Sequence, residues 1–254
     1  AQGNAFAARA NDASAIAFNP AGLTQLQRPE ISTGISFLYA TAEYHGININ
    51  EGVDESMDTK VNAIPNLYFA SPIIKDKLAA GIGVTVPYGL SGKWDENGFS
   101  RFVVTDFDLK VININPTLTV KPLSFLSIGI GFDYYYSQSE QDSRVFQGPS
   151  PEGYQELDIH GDGYGYNAGI LWNITPQHNI GISFRSKADL NFDGKIDLHN
   201  LAGPVTAIDA NTETTATIPE MLILGYAYRY KNIWSIEADV QWTNWTRFDV
   251  LDFK

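Results

Sequence analysis

From about residue 30 onward the chain alternates apolar and polar residues at period two, in runs longer than soluble strands need. The clearest run sets Leu126, Ile128, Ile130, Phe132, Tyr134 and Tyr136 against Ser127, Gly129, Gly131, Asp133 and Ser137. Period two is the side-chain period of a β-strand, so each run predicts one apolar and one polar face. Nine such runs follow one another. The first carries Ile31, Thr33, Ile35, Phe37 and Tyr39, and the second Leu67 and Phe69. The third sets Ala80, Ile82, Val84 and Val86 against Gly81, Gly83 and Thr85, and the fourth Ile112, Ile114, Leu118 and Val120 against Asn113, Asn115, Thr117 and Thr119. After the clearest run, which is the fifth, the sixth sets Tyr164, Tyr166, Ala168, Ile170 and Trp172 against Gly165, Asn167 and Gly169. The seventh sets Ile180, Ile182, Phe184, Ala188, Leu190 and Phe192 against Ser183, Arg185, Lys187, Asp189 and Asn191. Leu222, Leu224, Tyr226 and Tyr228 mark the eighth; the ninth places Trp234, Ile236, Ala238, Val240 and Trp242 opposite Ser235, Glu237, Asp239 and Gln241.

Three properties favour an antiparallel transmembrane β-barrel over a soluble sandwich. Many runs exceed the roughly ten residues that a tilted strand needs to cross a bilayer. Tight connections at Ile74–Lys77, Lys121–Ser124, Thr175–Asn179 and Tyr230–Asn232 alternate with long ones at about 45–64, 91–106, 143–158 and 195–213, the rhythm of short periplasmic turns and long outer loops. The polar face is rich in charge and glycine, which suits a wet lumen holding a plug better than a dry core.

Composition agrees. Aromatic residues make up 13% of the 254, with 13 Tyr and 5 Trp, as interfacial girdles require. No stretch approaches 18 consecutive apolar residues, which excludes a helical membrane span. Cysteine is absent, which removes disulfides and thiol chemistry. The net charge of −12 argues against nucleic-acid binding. Acidic residues such as Glu51, Asp54, Glu55 and Asp58 gather in a loop region, where they keep a surface solvated.

Residues 1–29 differ: rich in Ala and Asn/Asp, without alternation, and broken at Asn19-Pro20. They predict a compact plug, leaving 30–254 as a partial barrel. Nine strands cannot close a bacterial barrel, which uses even numbers, and open edges are costly in lipid. With the chain ending at Asp252-Phe253-Lys254, this reads as the N-terminal part of a longer barrel.

A series of short motifs then resembles the FadL-type outer-membrane transporters of long-chain fatty acids and aromatic hydrocarbons. The motifs are Asn4-Ala5-Phe6-Ala7, Asp12-Ala13-Ser14, Asn19-Pro20-Ala21-Gly22-Leu23, Arg28-Pro29, Pro87-Tyr88-Gly89-Leu90, Tyr166-Asn167-Ala168-Gly169-Ile170, Phe184-Arg185-Ser186 and Ile218-Pro219-Glu220. Each alone is weak; their order and spacing together are specific. The resemblance implies a 14-stranded barrel with an N-terminal hatch, in the bacterial outer membrane, of which strands one to nine are present. It implies passive uptake of hydrophobic small molecules: capture in an apolar groove among outer loops, transfer to a lumen pocket, rearrangement of the hatch, and lateral exit at a kinked third strand. The hatch motif is Asn19, Pro20, Ala21 and Gly22, which in the family lies beside the kink, and the kink maps to Pro87, Tyr88 and Gly89. Proline cannot donate to the ladder and glycine loosens it, so the tripeptide itself predicts interrupted pairing; an ordinary strand end at Pro87 is the bland alternative.

Other signals are weaker. Candidate contacts to a ligand head group are Arg144, Arg185 and Lys187, the first because the family places a basic residue nearby on the fifth strand. Arg185, Lys187 and Asp189 on one lumen face also read as an internal ion-pair network. Phe102, Val103, Val104 and Phe107, with Val145-Phe146, are candidates for the outer capture surface, ordinary loop packing being the alternative. Asp189-x-Asn191-x-Asp193-Gly194 mimics a calcium loop but offers Asn200 at the twelfth position in place of a bidentate Glu, so no metal or other cofactor is expected. Gly163-x-Gly165-x-x-x-Gly169 lacks the βαβ context of a nucleotide fingerprint and reads as small lumen residues that let the plug approach. No GxSxG or metal-spaced histidines are present, and the chain is not read as an enzyme. The expected partners are a hydrophobic ligand and outer-membrane lipid, with no nucleic acid, and a monomer. A non-transporting adhesin or structural barrel is the runner-up; an outer-membrane lipase and a soluble carbohydrate-binding sandwich stand behind it.

Overall fold

The computed structural model describes residues 5–48, 51–231 and 233–247. Asn4, Asn232 and the terminal Asp252-Phe253-Lys254 of the sequence reading lie outside them. Among the described residues thirteen strands form: β1 (Glu30–Tyr39), β2 (Glu43–His45), β3 (Asp54–Ser56), β4 (Val61–Ile74), β5 (Leu78–Lys93), β6 (Asp106–Leu123), β7 (Leu126–Val145), β8 (Gly153–Asn173), β9 (His178–Arg185), β10 (Ala188–His199), β11 (Ala207–Ile218), β12 (Met221–Tyr230) and β13 (Trp234–Thr243). β2 and β3 make a separate small hairpin; the other eleven share one antiparallel, curled sheet in the order β1-β4-β5-β6-β7-β8-β9-β12-β13. β10 continues the line of β9 and β11 that of β12, with β10 pairing both β8 and β11. The wall therefore has nine strand positions, as the alternation predicts, and two of them are broken.

The breaks have local causes. Asn167 pairs Arg185 but Asp162 pairs Asn191, so one extra residue sits on the β9–β10 line. Ser186 fills the break: its hydroxyl accepts from the Tyr166 N–H and donates to the Lys187 carbonyl. Opposite, Pro219 has no N–H for the ladder. Such a bulge turns every later side chain to the other face. The seventh run is thus corrected. Arg185 faces in, while Lys187, Asp189 and Asn191 face out; Ala188, Leu190 and Phe192, grouped with the outer face in the sequence reading, are buried inside.

The loop lengths also need correction. β7 and β8 run to Val145 and from Gly153, and β10 and β11 to His199 and from Ala207. The regions 143–158 and 195–213 are mostly paired strand. Their ladders close all the way up, and polar outer side chains kept them looking like loops. The calcium-like run is extended strand in β10. β4, read only from Leu67 and Phe69, passes through Pro65 and Pro72.

An apolar outer belt is clearest on β7 and β8. Outward positions run Leu126, Ile128, Ile130, Phe132, Tyr134 and Tyr136 on β7 and Trp172, Ile170, Ala168, Tyr166 and Tyr164 on β8. Beyond Tyr136 and Tyr164 they become Gln138, Glu140 and Asp162, His160, Asp158. The belt is eleven residues long on β7, the length a membrane strand requires. No helix among the described residues is long and apolar enough to cross a membrane; that test says nothing of strands.

Residues 5–29 lie within the curl as a turn, a short helix α1 (Ala15–Phe18) and a 3₁₀ helix over Pro20–Gln25. Ala7, Ala8, Ile16, Ala21 and Leu23 are fully buried there.

Candidate functional site

The floor of the curl is built around glycine. Inward positions Gly129, Gly169 and Gly181 carry no side chain where Pro20 and Ala21, Asn19, and Ala7 respectively press against the wall. Asn19 is the central polar group. Its Nδ2 donates to the Ala7 carbonyl at 2.7 Å and to the Ile170 carbonyl at 3.0 Å, and its Oδ1 accepts from the Ala21 N–H at 3.1 Å. Thr119 Oγ1 donates to the Pro20 carbonyl at 2.7 Å. Asp239 Oδ2 accepts the Phe6 and Ala7 N–H groups, both at 2.9 Å, and Arg9 pairs with Glu237 at 3.3 Å. These are buried donors and acceptors given partners, as burial requires. Of the glycine triplet near β8, Gly169 meets this segment; Gly163 meets the Asp189 carbonyl and Gly165 the Ser186 hydroxyl.

Beside the floor stands a polar cluster on inward positions. Asp133 is fully buried. Its Oδ1 accepts from the amides of Asn113 and Asn115, each at 2.7 Å, and its Oδ2 from that of Asn167 at 3.0 Å. Arg185 forms an ion pair with Asp133 and donates at 3.4 Å to both the Tyr135 hydroxyl and the Ala17 carbonyl. A buried charge persists only with such partners.

Above the cluster the lumen turns apolar. Val111, Tyr135, Leu157, Ile159, Ala188, Leu190, Phe192 and Ile218 form one buried cluster. A cavity of about 170 Å³ opens onto it, lined by Tyr88, Leu109, Val111, Ser139, Ile159, Leu190, Phe192, Thr214, Ala216, Thr217, Ile218, Pro219 and Trp245. Of these, Tyr88 is a candidate site residue of the sequence reading; Leu190 and Phe192 enter there as outer-face strand residues and Ile218-Pro219 as part of a motif. The readable signal was on β8, where Leu157 and Ile159 take the inward positions and Glu156, Asp158 and His160 the outward ones. That is the reverse of the belt below, and it marks an apolar interior behind a wet exterior.

The Pro87 motif lies at the edge of this cavity. Thr85 pairs Asn113 and Tyr88 pairs Val111, so Val86 and Pro87 together oppose Ile112. This bulge brings Tyr88 into the cavity wall. On its other side β5 loses its partner: β4 and β5 pair only from Ile74↔Leu78 to Asn66↔Thr85. Across the stretch Val61–Pro65 of β4 and Val86–Leu90 of β5 no ladder is formed among the described residues. Higher up, Ser91 Oγ of β5 reaches Asn62 Oδ1 of β4 at 2.7 Å, and Asp58, ahead of β4, donates its N–H to the Lys93 carbonyl at 2.7 Å. Asn19-Pro20-Ala21 rests on Thr119, Gly129 and Gly169; β5 is approached both by the 3₁₀ helix and by Ile16 of α1, the latter at Gly81 and Gly83.

The remaining candidates are dispersed. Arg144, near the outer end of β7, pairs with Glu96 at 2.8 Å and stacks on Tyr154, away from the cavity. Lys187 faces outward and pairs with Asp189 at 3.1 Å, so it cannot meet a lumen ligand. Phe102 and Phe146 meet edge to face at 5.5 Å on the outer loops, next to the exposed Val103. Phe107 lies apart on β6, beside Gly92 and Met57. A second aromatic group the sequence reading missed stacks Tyr44 on Phe99 at 3.6 Å, with Trp94 at its edge.

Comparison with known proteins places this architecture. The family profile described as "Outer membrane protein transport protein (OMPP1/FadL/TodX)" matches residues 1–254. The long-chain fatty acid transport protein of Escherichia coli O6:H1 is 27% identical over 96% of this chain and 63% of its own. Outer membrane protein P1 of Haemophilus influenzae is 24% identical over 97% and 63%. The chain thus spans about 63% of the length of these curated relatives. Among solved structures, a Pseudomonas aeruginosa FadL homologue superposes with a TM-score of 0.78 at 20% identity, over 99% of this chain and 70% of that one. The Pseudomonas putida toluene transporter TodX gives 0.72 at 16% identity, over 92% and 66%. On its sequence across its whole length, and with a curled antiparallel wall of the same fold, the chain belongs to the OMPP1/FadL/TodX family of outer-membrane transport proteins.

Proposed function

We propose that the protein of which this chain is part takes up hydrophobic small molecules through the outer membrane by diffusion, without energy coupling. Residues 1–29 serve as a hatch and 30–254 as barrel wall. A ligand caught on the aromatic outer loops, near Phe102, Val103 and Phe146, enters the apolar cavity. The hatch, held by Asn19 and its neighbours, bars the way down. The open path is sideways, past Tyr88 through the unpaired stretch beside Pro87, into membrane lipid. Arg185 keeps the hatch close to the wall; Arg144 belongs to the outer loops. The protein works as a monomer in this scheme.

One observation carries the reading: Tyr88 is at once part of the apolar cavity and the first paired residue after the bulge at Val86-Pro87. Backbone groups without ladder partners are costly in lipid, and a wall left open beside a pocket of apolar lining calls for a use. The test is uptake of labelled oleate by cells that lack their own fatty-acid porter and express the full-length parent. Uptake is expected, and Pro87→Val, which restores an N–H to the ladder, should lower it several-fold with the barrel still assembled in the outer membrane. Unchanged uptake in the assembled variant would sink the lateral route.

A further inference from the structure

We infer that Asn115 seals a second proline gap in the wall, at Pro116, and so confines lateral opening to the stretch beside Pro87. The inference rests on the lateral exit proposed above. Pro116 stands on β6, the strand next to β5, and faces outward in the belt between Ile114 and Leu118. The β6–β7 register runs from Ile114↔Tyr134 to Thr117↔Gly131 without a shift, so Pro116 lies opposite Phe132, and the ladder skips Asn115 and Pro116. An ordinary residue at 116 would give its N–H to the Phe132 carbonyl; proline has none to give. A carbonyl stranded at this depth is costly, because lipid offers no donor.

Asn115 supplies the missing donor. Its buried Nδ2 reaches the Phe132 carbonyl at 3.1 Å and Asp133 Oδ1 at 2.7 Å. Its Oδ1 accepts from Thr117 Oγ1 at 2.7 Å, which fixes the way round the amide lies. Next to it the empty inward position of Gly131 is covered by neighbours: a Cβ there would lie 2.8 Å from Asn167 Nδ2 and 2.9 Å from Thr117 Oγ1. The polar cluster around Asp133 thus backs the wall where the ladder fails. On the lipid side the same spot is hollow. A groove of about 710 Å³ lies over it, with Ala80, Pro116, Leu118, Ile130, Phe132 and Ala168 in its lining. The amide is what separates this site from Pro87. There the chain adds a residue, Val86 and Pro87 together oppose Ile112, and β4 is no longer paired alongside. At Pro116 the register is kept and a side chain replaces the backbone donor.

The experiment uses the full-length parent in nanodiscs and reads amide hydrogen exchange over residues 114–118 and 130–134. Asn115→Val is expected to quicken exchange there roughly tenfold, with residues 153–160 of β8 unchanged. Adding Pro116→Val restores a backbone N–H and should return the rate to that of the unmodified protein. Loss of the Asp133 contact alone would not be healed by that second change. If Asn115→Val does not assemble, Thr117→Val, which removes the bond that orients the amide, is the milder variant, and Pro116→Val should heal it too. Unchanged exchange in an assembled variant, or quickened exchange that Pro116→Val leaves unhealed, would overturn the inference. Oleate uptake by cells expressing Pro87→Val reads the consequence: adding Asn115→Val should raise it at least about twofold by opening the wall at Pro116. Uptake that stays low despite quickened exchange would overturn the confinement of the exit by Asn115. Pro87→Val without effect on uptake is instead a failure of the lateral route, and exchange still decides the seal at Pro116.

Discussion

Asn19 shows how much one side chain can organise. It supplies two donated hydrogen bonds and one accepted bond at a site without solvent. Asn19→Ala would strand the Ala7 and Ile170 carbonyls, and a buried group left unpaired costs on the order of 1–3 kcal/mol. Amide hydrogen exchange in the full-length protein is the check: residues 6–25 should exchange faster in the variant, while β7 and β8 keep their protection. In the sequence this asparagine stands out as the Asn-Pro break of the N-terminal segment and as the first residue of the hatch motif that the resemblance implies. That its Nδ2 also reaches β8, more than a hundred residues later, follows from Gly169 leaving room for it.

At the scale of elements, bulges and breaks decide the chemistry of the lumen. The residue added between Arg185 and Ala188 puts Leu190 and Phe192 inside and Lys187 outside, and the one at Val86-Pro87 delivers Tyr88 to the cavity. Neither inversion shows in the spacing, because apolar residues hold the same even phase from Ile180 to Phe192. The β2–β3 hairpin carries its own testable element. His45 Nδ1 meets Asp54 Oδ1 at 2.7 Å, with Glu43 at 3.5 Å from Nε2. The Asp54 hydrogen bond and charge, with a smaller contribution from Glu43, raise the imidazole pKa above its ordinary value of 6.5. Because the folded value is the higher one, the pair supports the hairpin fully below the ordinary histidine pKa, and the support is lost as pH rises through the raised value. Exchange of the hairpin amides should therefore quicken over that window beyond intrinsic base catalysis, and Asp54→Asn should abolish the dependence. A flat corrected profile in the unmodified protein would count against the pairing.

Across the whole molecule the belt and the cavity are complementary. Outward side chains of β7 and β8 are apolar up to Tyr136 and Tyr164 and polar or charged beyond, while inward positions turn apolar above that level on β8, at Ile159 and Leu157, and on β10, at Leu190 and Phe192. The apolar cavity thus opens near the upper rim of the belt, the level at which the proposed lateral route would reach lipid. Ile130 sits outward and exposed in mid-belt. Ile130→Arg should destabilise the assembled barrel by about 2–4 kcal/mol, whereas Gln138→Arg, above the aromatic rim, should cost about 0–1 kcal/mol. Denaturant titration of the full-length protein in lipid distinguishes the two, and equal costs would mean the belt is misplaced.

Nine wall positions, the tight turns, the outward belt and a compact N-terminal segment were all present in the residues, because period-two patterning against lipid leaves little choice of face. So was the irregularity at Pro87, since proline removes a ladder donor wherever it stands. What only the tertiary structure decided is where the pairing stops, which face each strand shows after a bulge, and which distant groups then meet. Arg185 and Lys187 are two residues apart and look alike in the chain. One extra residue between them sends the first to Asp133 and the N-terminal segment and the second into the surroundings. Register is a property of pairs of strands, and a single chain's spacing does not contain it.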